Sequence, residues 1–588
     1  MKKLLSNLGR REIVLIIICF ILVCGQVWLE LEMPEYMSEI TVLVETPGSE
    51  ISDILHNGMS MVFCALFSLV LAIIVGFLTS DISARFSMSI RRNLFKKVNE
   101  LDIEDIENIS ISSLITRTTN DITQIQMLVS MGLQLILKAP VMAVLVIIKI
   151  LLTNWQWSLV TLICMSIITC VISAIIIIVL PKFKRMQKFT DSLNKEVREN
   201  LNGIHVIKAF DAEKYQENKF EKVNSDLTNL QLANQKSLAV KTPILYLTMY
   251  LFVLGIYFLG AYLIKQAFVV EKLAIYGDMV VFASYAMQVI SIFLMLSNII
   301  SLLPRAEVSA NRINEVLEKN IKINDGKINN DKASIFKNIE FKNVSFKYSE
   351  AKEEALKNVS FDVNMGETLA IIGNAGSGKT SLINLILRYF DITSGEILIN
   401  NINIKEYNKD FLYSKIGYIS QEPVVFNDTI KNNIIYGINY KKGNKKEKIE
   451  KVIEIIDNKK NDEILNTKIN KNEIELSKGQ KQKISIARAI IKEPEIYIFD
   501  DAFSGLDYGD DIDIVTRLRN YDEKAIFLII SENFESTKIA DKILILKDGN
   551  VVFFGKYDET LNYQTYKDMI NQGGDENEWK CKKISLWF

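Results

Sequence analysis

The chain has 588 residues, and its 69 lysines and arginines are balanced by 70 aspartates and glutamates, so its formal net charge is −1. This length is enough for roughly two to four domains, and the balanced charge by itself indicates no particular partner. The six cysteines have neither metal-ligand nor disulfide-framework spacing, which excludes a cysteine-held metal and a disulfide-stapled fold.

Six stretches are apolar and long enough to cross a membrane, for which a helix needs about 20 residues. These candidate spans are 12–33, 58–80, 131–153, 157–181, 243–265 and 277–300. No lysine or arginine occurs between Arg11 and Arg85, and this interval carries an acidic segment between the first two spans. The positive-inside rule therefore places the N-terminus and the basic segment from Arg85 in the cytoplasm and the acidic segment outside. Because the basic loops adjoin spans, we expect contact with membrane lipid and no nucleic acid.

Two charged, helix-forming segments, 81–130 and 182–242, lie between spans and are predicted to be cytoplasmic. As helical hairpins they would have arms of about 30–38 Å, so the spanning helices would extend far into the cytoplasm. Lys138 and Lys149 of the third span are interpreted as snorkelling or structural. The sixth span carries a polar stripe, whose residues recur at helical spacing and so share one face of the helix. This stripe fits the lining of a cavity and packing between helices equally well. This stripe is Ser284, Gln288, Ser291, Met295 and Asn298.

The pattern changes at about residue 336, where short β-rich runs begin to alternate with helical stretches. Such alternation is typical of an α/β domain, and we expect this one to begin with antiparallel strands. We predict an all-α six-helix transmembrane domain with long cytoplasmic helices over 1–317 and a polar linker over 318–335. An α/β P-loop nucleotide-binding domain is predicted over 336–572. We assign no role to the tail, 573–588.

The stretch GNAGSGKT follows an apolar strand and precedes a helix. It fits the phosphate-loop pattern G-x-x-x-x-G-K-[ST], in which backbone N–H groups and a helix N-terminus hold phosphates. We expect Lys379 to reach the β- and γ-phosphates of ATP, and Thr380 with Asp500 to hold Mg²⁺. The other residues expected to bind the nucleotide here are Gly373, Asn374, Ala375, Gly376, Ser377, Gly378 and Ser381.

Further motifs surround this loop: VSFKYSE with Tyr348, YISQEP with Gln421, LSKGQKQKISIARAI, and SGLD with Asp507. In this order they make the chain resemble the ATP-binding cassette (ABC) transporters of exporter type. The resemblance implies that Tyr348 stacks on adenine, that Gln421 senses the nucleotide and its Mg²⁺, and that Asp507 belongs to the D-loop. It covers nearly the whole chain, because 114–126 and 199–215 look like the segments around the family's two cytoplasmic coupling helices.

In that family two cassettes pair head to tail, and each ATP lies between the phosphate loop of one and the LSGGQ signature of the other. The resemblance therefore implies that LSKGQ offers Ser477, Gly479 and Gln480 to a partner's nucleotide. Lys478, at the third signature position, is expected not to prevent this. Six spans and one cassette make the chain one half of such an assembly, so its partner is another copy or a related chain.

The chain departs from the family at two positions that decide hydrolysis. Asp501 stands where the family has its catalytic glutamate, and it is shorter by one methylene, or roughly 1.5 Å of reach. Misplacing a catalytic group by about 1 Å can cost on the order of 10²-fold in rate. Glu532 stands where the switch histidine is expected, and a carboxylate repels a triphosphate and cannot donate as imidazole does. Lys471 also replaces an acidic residue that the family has before its signature.

These features predict one subunit of a heterodimeric ABC exporter in a bacterial plasma membrane, with the N-terminus and nucleotide-binding domain cytoplasmic. It would drive efflux of an unidentified drug, peptide or lipid, using ATP and Mg²⁺. Hydrolysis is expected mainly at the partner's site, because both departures fall on this chain's own site. The alternatives are a homodimeric exporter with slow ATPase, an importer built on the exporter fold, and an ATP-gated membrane regulator that transports nothing.

Overall fold

The computed structural model describes residues 4, 9–46, 48–153, 155–329, 335–349, 351–437, 445–457, 465–469, 476–503, 505–506, 510–531 and 538–560. The chain forms two compact units. The first comprises Met1–Leu101 and Ile109–Asn320, and the second comprises Asp102–Asn108 and Ile321–Phe588. A short segment of the predicted transmembrane domain thus groups with the nucleotide-binding unit.

The first unit is helical, as its long apolar runs predict. Its helices are α1 (Arg10–Glu45), α2 (Ile51–Glu100), α4 (Ile111–Thr116), α5 (Ile122–Thr153), α6 (Trp155–Asn202), α7 (Ile204–Ala209), α8 (Glu213–Ala239), α9 (Lys241–Gln266) and α10 (Val269–Leu317). The helix α3 (Ile103–Ile109) precedes α4 and lies almost wholly in the second unit, and a π-helical turn, Arg117–Asp121, joins α4 to α5. Within the unit α1 packs on α2, and α10 packs on α1, α5 and α9.

The six predicted spans fall within α1, α2, α5, α6, α9 and α10. Five helical segments among the described residues are long and apolar enough to cross a membrane. The predicted span 157–181 falls on α6, where most side chains lie outside the described part of the chain. A continuous helix satisfies every backbone N–H and C=O internally, which is why such apolar runs adopt it in a bilayer.

Three acidic side chains of α1 form ion pairs with the two lysines of α5. Glu30 lies 2.8 Å from Lys138, and Lys149 lies 2.8 Å from Glu32 and 2.6 Å from Glu35. The sequence interpretation assigned these glutamates to the acidic segment that begins at the end of the first predicted span, and α1 runs through this part of the segment to Glu45. The contacts favour the structural interpretation of the two lysines, because each ammonium is held by a carboxylate of a neighbouring helix.

Two side chains of α10 join this network. The buried hydroxyl of Tyr285 donates to the carbonyl oxygen of Leu31 at 3.0 Å and to Glu35 at 2.9 Å. The amide of Gln288 donates to the carbonyl oxygen of Glu30 at 3.2 Å. Gln288 belongs to the polar stripe of the sixth span, so this member of the stripe packs between helices. The side chains of Met295 and Asn298 lie outside the described residues.

We expect Lys149→Met to lower the stability of the full-length chain by about 1–3 kcal/mol, between the values for exposed and buried ion pairs. Lys149 is 23 % exposed, and its loss leaves Glu32 and Glu35 without their shared cation. Thermal unfolding in detergent measures the effect. The matched control is Lys195→Met, because Lys195 is 76 % exposed and its contact with Glu199 spans 3.8 Å. Equal melting temperatures for the two variants would contradict a structural role of Lys149.

The described residues of the second unit form two sheets. An antiparallel sheet has the order β2-β1-β4-β5, and a six-stranded sheet has the order β10-β9-β3-β8-β7-β6. The strands are β1 (Asn338–Phe346), β2 (Leu356–Asn364), β3 (Thr368–Gly373), β4 (Ser394–Ile399), β5 (Ile402–Asn403), β6 (Ile416–Ile419), β7 (Ile496–Asp500), β8 (Ile526–Ile530), β9 (Lys542–Lys547) and β10 (Asn550–Lys556). Among the described strands of the larger sheet, β9 and β10 pair antiparallel and the other neighbouring strands pair in parallel. This is an α/β architecture whose first strands, β1 and β2, are antiparallel, as the sequence predicts.

The helices of this unit pack around the larger sheet, whose strands β7 and β8 are buried throughout. They are α11 (Lys379–Ile386), α12 (Lys409–Lys415), α13 (Ile430–Ile434), α14 (Lys445–Asp457), α15 (Lys478–Ile490), α16 (Asp510–Tyr521) and α17 (Tyr557–Thr560). In the sheet order β8 separates β3 from β7. The carboxyl ends of these three parallel strands therefore meet at one edge, where ligands bind in open α/β sheets.

Part of the predicted linker 318–335 is paired with the second unit. Ile328 forms a parallel β-bridge with Tyr407, and the backbone N–H of Asn408 donates to the carbonyl oxygen of Ile328 at 3.0 Å. The N–H of Gly326 donates to the carbonyl oxygen of Tyr407 at 3.2 Å. The segment 321–328 thus adds its backbone hydrogen bonds to the nucleotide-binding unit.

Candidate nucleotide site

The phosphate loop connects β3 to α11 in a conformation that glycine alone adopts without strain. Gly376 and Gly378 have φ values of 81° and 103°, in the left-handed region. A Cβ on Gly378 would also lie 2.7 Å from Leu356 and 2.8 Å from the carbonyl oxygen of Ala355. Gly378 is the N-cap of α11 and provides no side-chain cap. The first N–H groups of α11 are therefore available to an anion.

Two polar side chains of the loop are arranged to receive phosphate. Lys379 donates from Nζ to the carbonyl oxygens of Gly373 at 2.5 Å and Asn374 at 3.0 Å, so its ammonium lies across the loop. The hydroxyl of Ser377 is buried and has no hydrogen-bond partner among the described residues. A buried hydroxyl beside an ammonium and a free helix N-terminus fits a phosphate group, which would satisfy all three.

A cavity of about 470 Å³ opens above this loop. Its wall consists of Tyr348, Ala355, Gln421, Asp500, Asp501, Ile530 and the loop residues from Ala375 to Ser381. A larger cavity of about 600 Å³, lined by Tyr389, Arg488 and Lys492 among others, contains no phosphate-loop residue. We assign the nucleotide to the smaller cavity, because there the phosphate-binding groups and both carboxylates converge.

The aromatic ring of Tyr348 is positioned by its neighbours. Its centroid lies 4.7 Å from that of Phe346 and 5.1 Å from that of Phe390, both in edge-on geometry. Its hydroxyl and that of Ser381 are 3.0 Å apart. The segment that follows β1 is thereby linked to α11 at the cavity wall.

Asp500 ends β7 and is 6 % exposed. Burial raises the pKa of its carboxyl above the ordinary value, while the hydrogen bond from Tyr418 and the charge of Lys379 oppose this shift. The Tyr418 hydroxyl donates to Asp500 at 3.2 Å. A buried carboxylate beside the phosphate loop and Thr380 is the oxygen donor set that Mg²⁺ prefers, and the cation would in turn favour the charged form of Asp500.

Sequence reasoning missed Tyr418. It lies on β6, which pairs with β7 in parallel register, so a side chain three residues before Gln421 reaches the carboxyl end of the next strand. Burial raises the pKa of Tyr418, so its hydroxyl stays protonated and acts as a donor. The available signal was the position of the tyrosine in YISQEP, three residues before Gln421.

Asp501 is held beside Gln421. It adopts a left-handed backbone with φ of 46°, and its N–H donates to the carbonyl oxygen of Ile530 at 3.0 Å. The amide nitrogen of Gln421 donates to Asp501 at 3.3 Å. The structure therefore brings two of the predicted catalytic positions together. Glu532, Asp507 and Lys471 lie outside the described residues.

The signature residues form the N-terminus of α15. Ser477 is the N-cap and makes a capping box with Gln480, because each side chain pairs with the other's backbone N–H, at 3.2 and 2.9 Å. A Cβ on Gly479 would lie 2.6 Å from the carbonyl oxygen of Gly505. Ser477, Gly479 and Gln480 are absent from the described lining of the chain's own cavity.

Comparisons with known proteins place both units in one family. Residues 15–293 match the family described as "ABC transporter transmembrane region", and residues 356–504 match that described as "ABC transporter". The uncharacterized ABC transporter ATP-binding protein YfiB of Bacillus subtilis is 31 % identical over 89 % of this chain and 90 % of its own length. The multidrug resistance-like ATP-binding protein MdlA of Buchnera aphidicola is 30 % identical over 78 % of both chains.

The fold also matches a solved structure of a bacterial Atm1-family ABC exporter with ATP bound. The TM-score is 0.80 at 20 % sequence identity, and the match covers 96 % of this chain and 98 % of that one. At this identity the likeness establishes the fold, which agrees with the α-helical and α/β units described above.

Proposed function

Since this chain belongs to the ABC transporters, with a transmembrane region and an ATP-binding domain fused in one polypeptide, we propose that it is one subunit of a heterodimeric exporter. In this proposal its own site binds ATP but hydrolyses it weakly. The observation that carries the proposal is Asp501 at the position of the catalytic base, with its carboxylate beside Gln421.

Binding rests on groups that the chain already positions. The N–H groups at the start of α11 and the ammonium of Lys379 hold the phosphates, and Tyr348 stacks on the adenine ring. Asp500 and Thr380, with Gln421, hold Mg²⁺, which supplies electrostatic stabilisation of phosphate charge. Tyr418 orients Asp500 by its hydrogen bond. The loop, the buried carboxylate and the cavity support this assignment.

Weak hydrolysis follows from the reach of the base. An aspartate is one methylene shorter than glutamate, roughly 1.5 Å, and general-base catalysis needs hydrogen-bond distance to the proton that is abstracted. The contact with Gln421 further holds the Asp501 carboxylate on the cavity wall. We propose that Glu532, in place of the switch histidine, provides no donor to the γ-phosphate. Occupancy here then favours a closed pair of cassettes without completing a turnover.

The partner in this proposal is a second ABC half-transporter, whose nucleotide receives the signature residues Ser477, Gly479 and Gln480. The assembly is placed in the plasma membrane, with the N-terminus and the ATP-binding domain in the cytoplasm. Its cargo is a drug, peptide or lipid moved outward. The helical unit, with its five described segments able to cross a membrane, supports a multi-pass arrangement.

We expect the chain purified alone to have little ATPase activity, because both hydrolytic positions of its site are altered. Co-expressed with its partner, it should form a 1:1 complex that hydrolyses ATP at a rate at least about 100-fold higher, the minimum that a placed general base contributes. Size-exclusion chromatography with light scattering and a phosphate-release assay measure both quantities. Robust turnover by the isolated chain that Lys379→Ala abolishes would instead support the homodimer.

Transport direction separates the remaining alternatives. In inside-out membrane vesicles, ATP should drive cargo inward for an exporter, and the importer alternative requires the reverse. A regulator that moves nothing would bind and hydrolyse ATP without vectorial movement of any cargo. The heterodimer also predicts that the neighbouring reading frame encodes the partner. That partner should be a half-transporter with glutamate and histidine at the positions of Asp501 and Glu532.

A further inference from the structure

The carboxyl group of Asp500 is shared between the nucleotide cavity and a tyrosine of the neighbouring strand. Asp500 is 6 % exposed and lines the cavity of about 470 Å³ that contains the phosphate loop. The hydroxyl of Tyr418 donates to its Oδ2 at 3.2 Å, and among the described residues no other group donates to this carboxyl. The protein thus holds one oxygen of Asp500 and leaves Oδ1 for a cation or for a water molecule bound to it.

The register of the larger sheet places Tyr418 for this contact. The strands β6 and β7 pair in parallel with Tyr418 opposite Ile498, two residues before Asp500. Residues two apart on a strand share a face, so the tyrosine and the carboxyl lie on one side of the sheet. Diagonal neighbours on adjacent strands are about 7–8 Å apart, a distance that an aromatic side chain spans. The contact therefore follows from strand pairing.

Close packing fixes the strand that carries Tyr418. A Cβ on Gly417 would lie 2.7 Å from Pro494 and 3.4 Å from the Cβ of Ala489, so β6 lies directly against the end of α15. The ring of Tyr418 packs against the core of the unit and lines the larger cavity of about 600 Å³. Because the strand and the ring are both held, the hydroxyl reaches Asp500 from one direction.

The adjacent carboxylate also receives a donor from the same segment. Gln421, three residues after Tyr418, donates from its amide nitrogen to Oδ2 of Asp501 at 3.3 Å. Two neighbouring carboxylates that each presented both oxygens would suit a large cation with many oxygen ligands. With one oxygen of each held by a protein donor, this wall of the cavity suits a small cation that takes few carboxylate oxygens.

We propose that Tyr418 is a positioning residue that makes this site selective for Mg²⁺ over Ca²⁺, because its hydrogen bond keeps Asp500 from binding a cation through both oxygens. This inference rests on the proposed binding of ATP with Mg²⁺ at this site. Mg²⁺ needs near-octahedral geometry, whereas Ca²⁺ takes about 6–8 oxygen ligands and accepts bidentate carboxylates. Without the hydroxyl, Oδ2 would be a buried acceptor without a donor, and it would turn to the cation.

Binding of a non-hydrolysable ATP analogue to the full-length chain in lipid nanodiscs, with saturating Mg²⁺ or Ca²⁺, tests this selectivity. The measured quantity is the dissociation constant with Ca²⁺ divided by that with Mg²⁺. Tyr418→Phe keeps the ring but removes the hydroxyl, and it should lower this ratio about tenfold, the effect of one hydrogen bond to a charged group. In EDTA the affinity of this variant should stay within about twofold, because no cation is then present for Asp500 to bind.

Tyr389→Phe is the matched control. It removes a hydroxyl from the same larger cavity, and Tyr389 is not among the described residues that line the nucleotide cavity. This variant should keep the full ratio. A purely structural role of Tyr418 would weaken binding by one factor with Mg²⁺, with Ca²⁺ and in EDTA. The ratio would then be unchanged in Tyr418→Phe, and that result would overturn the proposal, as would an unsubstituted chain without preference for Mg²⁺.

Failure of the proposed function gives a different result. The unsubstituted chain would then bind the analogue with neither cation, or Lys379→Ala would bind it as tightly as the unsubstituted chain does. Circular dichroism verifies that Tyr418→Phe is folded. If it is not, Tyr418→Leu takes its place, with a lowered ratio supporting the selectivity and a full ratio contradicting it.

Discussion

Lys379→Ala should weaken nucleotide binding to this chain by at least about 30-fold, whereas Asp501→Asn should change it less than about twofold. The lysine supplies a charge-assisted contact at a partly buried site, and removing one partner of such a pair costs about 2–5 kcal/mol. Each 1.4 kcal/mol corresponds to a factor of about ten in affinity. Asp501 is not among the groups that we assign to the phosphates. Titration with a fluorescent ATP analogue measures both variants.

Turnover of the complex separates binding from chemistry. Asp501→Asn should leave the steady-state rate within about twofold, because asparagine also tolerates the left-handed backbone of this position. The equivalent change of the partner's glutamate should lower the rate on the order of 10²-fold or more. Single-turnover hydrolysis with nucleotide trapped at each site provides the decisive comparison. Equal rates at the two sites, each abolished by changing its own carboxylate, would identify Asp501 as a working base.

Ser477→Arg should abolish ATP hydrolysis by the complex, with a loss on the order of 100-fold or more. In the proposed head-to-tail arrangement Ser477 lies at a helix N-terminus that faces the partner's γ-phosphate, so a long cationic side chain blocks closure of the competent site and misplaces the reacting groups. Phosphate release by the reconstituted complex measures the effect. Wild-type turnover in this variant would contradict the head-to-tail arrangement.

Ser477→Ala is the matched control for the capping role of this serine. It removes the hydroxyl that caps α15 through Gln480, which costs about 1 kcal/mol, but adds no bulk. We expect it to retain most of the turnover. Gly479→Asp is a poorer probe than the sequence pattern indicates, because a Cβ there would lie 2.6 Å from the carbonyl oxygen of Gly505. Its loss of activity would report local misfolding as well as a blocked site.

The motif residues of the candidate nucleotide site could be predicted from the sequence because their chemistry is local. A phosphate loop needs left-handed glycines and a following helix within eight residues, and Gly373–Thr380 contains all of these. The two fold classes could be predicted for a similar reason, since apolar runs and short alternating strands reflect local burial. The sequence likewise suggested the proposal that Asp501 and Glu532 replace the catalytic glutamate and the switch histidine, because both were interpreted as departures from the pattern of the family.

Tertiary structure decided the contacts between segments distant in sequence. Tyr418 reaches Asp500 because β6 and β7 are neighbouring strands. Lys149 contacts Glu32 and Glu35 between two helices, although it lies 117 and 114 residues from them in the sequence. No periodicity encodes such pairs, because each depends on how whole elements pack and which side chains are then desolvated together.

Asp102 is the clearest example of a residue whose contacts only the tertiary structure reveals. In the sequence it is one acidic residue in a charged segment, LDIEDIEN, without a motif. Only the fold brings it to Lys322, Ile323 and Lys409, of which Lys322 is 220 residues away in the sequence and Ile323 is 221 residues away. The sequence thus determined which chemistry this protein can perform, through residues that act within a few positions of each other. The tertiary structure determined which groups distant in sequence contact each other, because a buried polar atom without a partner is costly.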